Sequence, residues 1–206
     1  MKKLIIAGAG GHGRVVADIA SRCGYESITF LDDRVGEVES GFPDMPVTGS
    51  VADAEAYIGE ADFFVAVGNN ATRERITLYL KGLGARMATL IHPQAVLGRD
   101  VSVGEGTAIM AGAVVNPCAV IGNGCIINTG ASVDHEDRIG DFSHVSVGAH
   151  LCGTVTLGER CFIGSGATVI NNTDVCRDVT IGAGGTVIRS ITQPGTYVGV
   201  PVRRIR

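Results

Sequence analysis

At 206 residues the chain has room for one or two domains. Its 45% apolar content is enough for a core, and 30 Gly with 5% aromatics and no Trp point to tight turns around small and branched aliphatics. A net charge of −4 gives no basis for nucleic acid or an anionic membrane as partner, and no stretch approaches the roughly 18 apolar residues of a membrane span.

The N-terminus, MKKLIIAGAGGHG, begins basic and turns apolar. Its apolar part, Leu4 to Ala7, is too short for a signal-peptide core, so a soluble, cytoplasmic protein is expected. Lys2 to Ala7 reads as a buried strand. Gly8, Gly10 and Gly13 follow in GxGxxG spacing, then a helical pattern from Arg14 to Ser21 that Gly24 can end. Ser27 to Leu31 reads as a second strand, closed by Asp32 and Asp33. Strand, glycine turn, helix, strand and acid is the opening of a dinucleotide-binding fold, whose helix N-terminus favours phosphate. Only about 85 residues precede the next region, where a full dinucleotide fold needs two such halves. One nucleotide, as in a nucleotide-sugar, fits better than NAD. Ala61 to Gly68 predicts a third strand ending in Gly68-Asn69-Asn70. Thr72 is the expected cap of a helix reaching Leu83, with Arg73, Arg75 and Lys81 on its polar side. Ala85 to Leu90 reads as a last strand.

From Leu97 to Val187 every sixth residue is Leu, Ile or Val, sixteen in succession. The residue four later is usually small, as at Thr107, Ala113, Cys125, Ala131, Ser143 and Cys161. A period of six fits neither 3.6 nor 7. It is the signature of a parallel β-helix, with one short strand per hexapeptide and three per coil. Turn positions such as Asn123-Gly124, Gly140-Asp141 and Asn171-Asn172 accept positive φ. Residues 191–206 carry two Pro and two Gly and read as an extended tail. The predicted domains are 1–90, 91–190 and that tail, 191–206.

The six cysteines form no CxxC pair, which argues against zinc. Cys125 and Cys161 fall on one side of the prism but two coils apart, roughly 10 Å at the spacing of stacked strands. They are read as reduced, small hydrophobes.

Of five histidines, His135 stands out because Asp134 and Glu136 flank it. A neighbouring carboxylate stabilises imidazolium and raises basicity, which suits a general base near neutral pH. His144 follows nine residues later, half of an 18-residue coil. The two histidines should therefore face opposite sides of the prism. They meet in one site only if different subunits supply them, which predicts an oligomer.

GAGGHG, FLDD, VAVGNN, LIHP, the DHE triplet, IGDFSHVSVGAH and YVGVP together resemble the bacterial nucleotide-sugar acetyltransferases of the left-handed β-helix class. The nearest are those that N-acetylate a UDP-4-amino-6-deoxy sugar in bacillosamine synthesis. GDP-perosamine N-acetyltransferases and sialic-acid O-acetyltransferases share the layout, and the resemblance covers essentially the whole chain. It implies a Rossmann-like α/β domain before a left-handed β-helix, a homotrimer with active sites between subunits, acetyl-CoA as co-substrate and no metal. It implies His135 as general base and Glu136 as the carboxylate that raises its basicity. His144, Gly153, Ser165 and Ala183 would bind acetyl-CoA; Gly10, Gly11, His12, Asp32, Asp33 and Gly68 would bind the nucleotide-sugar. Val202 and residues 171–178 depart from the family's usual forms. Asp134 competes with Glu136 for the partner role. Hydroxyl acetylation, or a catalytically idle nucleotide-sugar-binding scaffold, are the competing readings.

Overall fold

The computed structural model describes residues 1–206 and divides into two compact units, Met1–His92 and Pro93–Arg206. The first contains β1 (Lys3–Ala7), α1 (Gly11–Arg22), β2 (Ser27–Leu31), β3 (Val47–Gly49), a 3-10 stretch over Val51–Tyr57, β4 (Asp62–Val65), α2 (Asn70–Gly82) and β5 (Arg86–Met87). The strands form a parallel sheet in the order β3-β2-β1-β4-β5. The chain reverses its direction of travel across the sheet at β1, so the loops after β1, β2 and β4 share the edge where open α/β sheets take ligands. Ile5, Leu31, Phe63, Val65, Ile76 and Leu80 pack in the core beneath them.

Two local expectations for this unit are corrected, and one strand is added that the sequence did not suggest. The short strand β3 has no apolar run to announce it; it forms because β2 offers it an edge to pair with. The cap of α2 is Asn69, whose side chain accepts from the Thr72 amide at 2.9 Å. Arg73 is not on a polar face. It is 1% exposed, and its guanidinium donates to Val67 O at 3.0 Å, Gly68 O at 3.2 Å and Asn70 Oδ1 at 2.9 Å. Carbonyls at the end of β4 turn inward there and satisfy the charge.

The second unit is a three-sided parallel β-helix. One face stacks Val96–Leu97, Val114–Val115, Ser132–Val133, His150–Leu151, Thr168–Val169 and Thr186–Val187. The second stacks Ser102–Val103, Val120–Ile121, Arg138–Ile139, Thr156–Leu157 and Asp174–Val175. The third includes Ala108–Ile109, Ile126–Ile127, His144–Val145, Phe162–Ile163 and Val179–Ile181. Partners lie 18 residues apart, as in Val115↔Val133. All the hexapeptide aliphatics are buried except Leu97 and Val103 in the first coil. Burying such side chains is worth about 1.5–3 kcal/mol each, so the column is the main source of this unit's stability.

Corners are tied by small side chains. The Thr107 hydroxyl donates to Gly122 O at 2.8 Å and accepts from the Cys125 amide at 2.9 Å; Ser143 repeats the pattern with Gly158 O and the Cys161 amide at 2.9 and 3.0 Å. Cys125 and Cys161 are free thiols in the same column. Each corner needs one left-handed residue. Gly124 and Asn172 fill it as expected, but in the coil of Gly140-Asp141 the residue is Phe142, at φ 57°. Residues 191–206 are not a plain extended tail. Gly195–Val198 adds in parallel to Val179–Ile181, then pairs antiparallel with Arg203–Arg204. No helix is long and apolar enough to cross a membrane.

Candidate active site

Asp134 to Asp137 form the corner between the first and second faces. Glu136 takes the left-handed position at φ 63°. For a residue with a Cβ this costs on the order of 1–2 kcal/mol, and the fold holds Glu136 there beside the histidine. Its Oε2 lies 3.3 Å from His135 Nδ1, with both side chains exposed. Asp134 is engaged elsewhere. Its Oδ1 accepts from the His135 amide and from Asn116 Nδ2, both at 2.7 Å, and these bonds hold its carboxyl below the usual range. Glu136 is therefore the carboxylate that reaches the imidazole. With Nδ1–H donating to it, Nε2 carries the free lone pair.

The ring rests on the next coil. A Cβ at Gly153 would overlap the His135 imidazole, so this glycine is a seat for the ring. The His135 carbonyl accepts from the Thr154 amide at 2.9 Å. Below the turn, Asp137 is fully buried. Its Oδ2 accepts from the Asp134 amide at 2.8 Å and its Oδ1 from the Val155 amide at 2.7 Å. Burial pushes its pKa up to about 7, although both amide bonds oppose that shift.

His144 lies on the third face, opposite the corner that carries His135. It is 8% exposed, and the Phe162 ring meets it edge-on at 5.1 Å between centroids. Asn128 Nδ2 stands 3.0 Å from His144 Nε2. With the amide donating, Nε2 accepts and Nδ1 bears the proton. Ser165 and Ala183 are exposed at the corner that follows this face, where the Ser165 and Ser146 hydroxyls are 3.1 Å apart. The four residues expected at acetyl-CoA therefore divide: Gly153 is with His135, and Ser165 and Ala183 are on the His144 side.

In the first unit the glycines also divide. Gly8 takes φ 112°, and a Cβ on Gly13 would strike Gly8 O. These two shape the turn. Gly10 and Gly11, at the start of α1, would meet nothing with an added Cβ and leave open space above the helix end. His12 is largely buried. Its pKa falls to about 4, first through desolvation and then through the Arg73 charge, so the imidazole is neutral near pH 7.

Asp32 faces inward, its Oδ2 accepting from the Ala9 amide at 2.9 Å and its Oδ1 from the Arg34 amide at 3.0 Å. Burial opposes its ionisation, but these amides and the Arg34 guanidinium prevail and lower its pKa. Asp32 thus braces the glycine loop. Asp33 Oδ1 accepts from the Val51 amide at 3.1 Å. Gly8, Asp32, Asp33, Thr72 and Arg75 help line a cleft of about 290 Å³. Gly10, Gly11, His12 and Gly68 are outside that lining, at the same ends of β1 and β4.

Sequence reasoning missed Asn128, Asn116 and Asp137. The first two leave no local signal, because their partners lie 16 and 18 residues away. Asp137 did leave one, since it breaks the rule that the residue four after each aliphatic is small.

Residues 3–80 match the family model described as the PglD N-terminal domain. A UDP-N-acetylbacillosamine N-acetyltransferase of Bacillus subtilis (strain 168) is 40% identical over 116 residues, 54% of this chain. That alignment spans about half of the relative's own length, 52%. The acetyltransferase domain of PglB from Neisseria gonorrhoeae FA1090 is 39% identical, with all of both chains covered and a TM-score of 0.94. The same domain has been solved in complex with acetyl coenzyme A. PerB from Caulobacter crescentus, solved with CoA and GDP-perosamine, is 35% identical over 99% of this chain and 97% of its own, with a TM-score of 0.90.

Two outcomes follow from the geometry of the His135 corner. Gly153→Ala should displace the exposed imidazole rather than unfold the coil. Turnover should drop at least tenfold while the melting temperature stays within a few degrees; a simultaneous loss of both would contradict the seat. The second concerns pH. A carboxyl whose pKa is raised in the fold contributes stability that is fully present below its ordinary value near 4 and is lost as pH rises through about 7. Denaturant unfolding at pH 5 and pH 8 should show wild type losing more stability than Asp137→Ala across that interval.

Proposed function

Because the chain belongs to the bacterial nucleotide-sugar acetyltransferases of the left-handed β-helix class, we propose that it transfers acetyl from acetyl-CoA to the 4-amino group of a UDP-linked 4-amino-6-deoxy sugar. The observation that carries this reading is the His135–Glu136 pair at an exposed corner, with Nε2 available as a base. Likeness to the Bacillus subtilis N-acetyltransferase supports the UDP-linked acceptor. Likeness to PerB supports a GDP-linked 4-amino sugar as the second reading.

In the proposed mechanism the acceptor amine attacks the thioester carbonyl as His135 Nε2 takes its proton, and Glu136 stabilises the imidazolium through Nδ1–H. The tetrahedral oxyanion is held by a backbone N–H or by His144, a donor arrangement that strengthens as charge develops. Collapse breaks the C–S bond. The imidazolium returns the proton to the leaving thiolate, which restores the base. No covalent enzyme intermediate and no metal take part. Gly10, Gly11, His12, Asp33 and Gly68 contact the nucleotide-sugar, with Asp32 supporting the glycine loop. His144, Ser165 and Ala183 contact acetyl-CoA.

His135 and His144 lie on opposite sides of one prism, so a site that uses both is formed between subunits; the proposed assembly is a homotrimer, as the family resemblance implies. The proposed location is the cytoplasm, which supplies acetyl-CoA.

Thiol release with a panel of UDP-, GDP- and dTDP-linked 4-amino sugars, beside free and CMP-linked sialic acid, tests the acceptor. The UDP-amino sugar should give the highest kcat/KM; release only with sialic acid would replace N- by O-acetylation. His135→Ala should lower kcat by about 10²- to 10⁴-fold and leave CoA binding by calorimetry nearly intact. Near-normal turnover would remove His135 as the base. Mixing His135→Ala and His144→Ala subunits after dissociation should restore part of the activity if sites are shared. Complete failure to complement would argue for a site within one chain.

A further inference from the structure

One fully buried carboxyl, that of Asp137, lies outside the mechanism above. In the column formed by residues 119, 137, 155 and 173, the other corner residues are Ala119, Val155 and Thr173. Asp137 is the acid in this column, and it belongs to the coil that carries His135. Ala119 and Val155 fill the same slot one coil away and Thr173 two coils away, so packing does not demand a carboxyl. A buried carboxyl is costly where an apolar side chain would serve, and a local rule broken without a packing gain points to a task elsewhere.

Its two bonds indicate the task. The Asp134 amide opens the His135 turn, and the Val155 amide belongs to the next coil, two residues after Gly153. One carboxyl therefore ties the turn that presents the imidazole to the strand end on which that imidazole rests. We propose that Asp137 is a positioning residue for acetyl transfer, fixing the His135 ring against Gly153 at the height from which Nε2 takes the acceptor's proton. The proposal rests on His135 acting as the base. It adds a second carboxyl to the site, with a role distinct from that of Glu136: Glu136 contacts the ring, and Asp137 acts through the backbone beneath it.

The experiment compares wild type, Asp137→Ala and Asp137→Asn as the assembled full-length protein. Ala already occupies this slot at Ala119, so the first variant should fold. Its kcat should fall at least tenfold, with KM for acetyl-CoA within twofold of wild type. Asp137→Asn retains one acceptor oxygen and should recover part of the loss. In ¹⁵N-detected imidazole spectra, the His135 ring signal should broaden or move in Asp137→Ala while that of His150, on the first face, stays in place.

Wild-type kcat in the Ala variant would overturn the proposal. So would a parallel fall of kcat, acetyl-CoA binding and melting temperature in both variants, which marks a residue needed only for folding. If wild type acetylated none of the acceptors, the proposed function would fail separately. The ring spectra would still decide, because an unchanged His135 signal in Asp137→Ala refutes positioning whatever the substrate.

Discussion

Parallel stacking at an 18-residue register is the constraint on which the second unit depends. Strands pair only with those one coil away, and each coil must turn three aliphatic side chains inward to close its core. Once that register is set, a residue's number determines its face or corner. Nine residues of separation put His135 on a corner and His144 on the opposite face, so no rotamer change within one prism brings them together. The backbone also imposes a left-handed residue at each corner. At the corner that follows the third face, Gly130, Gly148 and Gly166 fill that position without cost; at the His135 corner Glu136 fills it. The same demand that makes the repeat glycine-rich sets the Glu136 carboxylate beside His135.

Three carboxylates surround the His135 turn, and burial and hydrogen bonding separate their roles. Glu136 is exposed and touches the ring. Asp134 is held ionised by the His135 amide and the Asn116 side chain, so its charge is committed to those two donors. Asp137 is buried deeply enough that desolvation outweighs two amide bonds. The sequence DHED shows three acids of nearly equal standing. They become distinct only when the coils before and after supply Asn116 and Val155.

Legibility followed the range of the interaction that set each feature. The hexapeptide column, the strands β1 and β2 and the loop glycines were readable because period and local turn chemistry govern them. The histidine geometry was readable as well, because it needs only arithmetic on the register. Features set by partners one coil away were not. Nothing near Asn128 signals that it bonds His144, and nothing near Asp134 signals that Asn116 occupies it. The buried Arg73 failed for a related reason. Helical periodicity placed it with Arg75 and Lys81, but the carbonyls of Val67 and Gly68 turn back over the start of α2 and draw it inward. β3 was missed because its short strand depends on the edge of β2 rather than on its own residues.

The glycine motif of the first unit separates by the same physical test. Gly8 and Gly13 are required by the protein itself, one by its positive φ and the other by contact with the Gly8 carbonyl. Gly10 and Gly11 are not, since side chains there would meet only open space. Glycine at such positions leaves the backbone N–H groups at the start of α1 uncovered, the arrangement that favours an anion. Neutral His12 fits this setting. Burial first, and the Arg73 charge second, keep its imidazole uncharged, so the charge Arg73 brings to this edge is fixed and hydrogen-bonded while the neighbouring histidine does not titrate near neutrality. The electrostatics of the loop then stay constant between pH 6 and 8, a range in which an ordinary histidine would change charge.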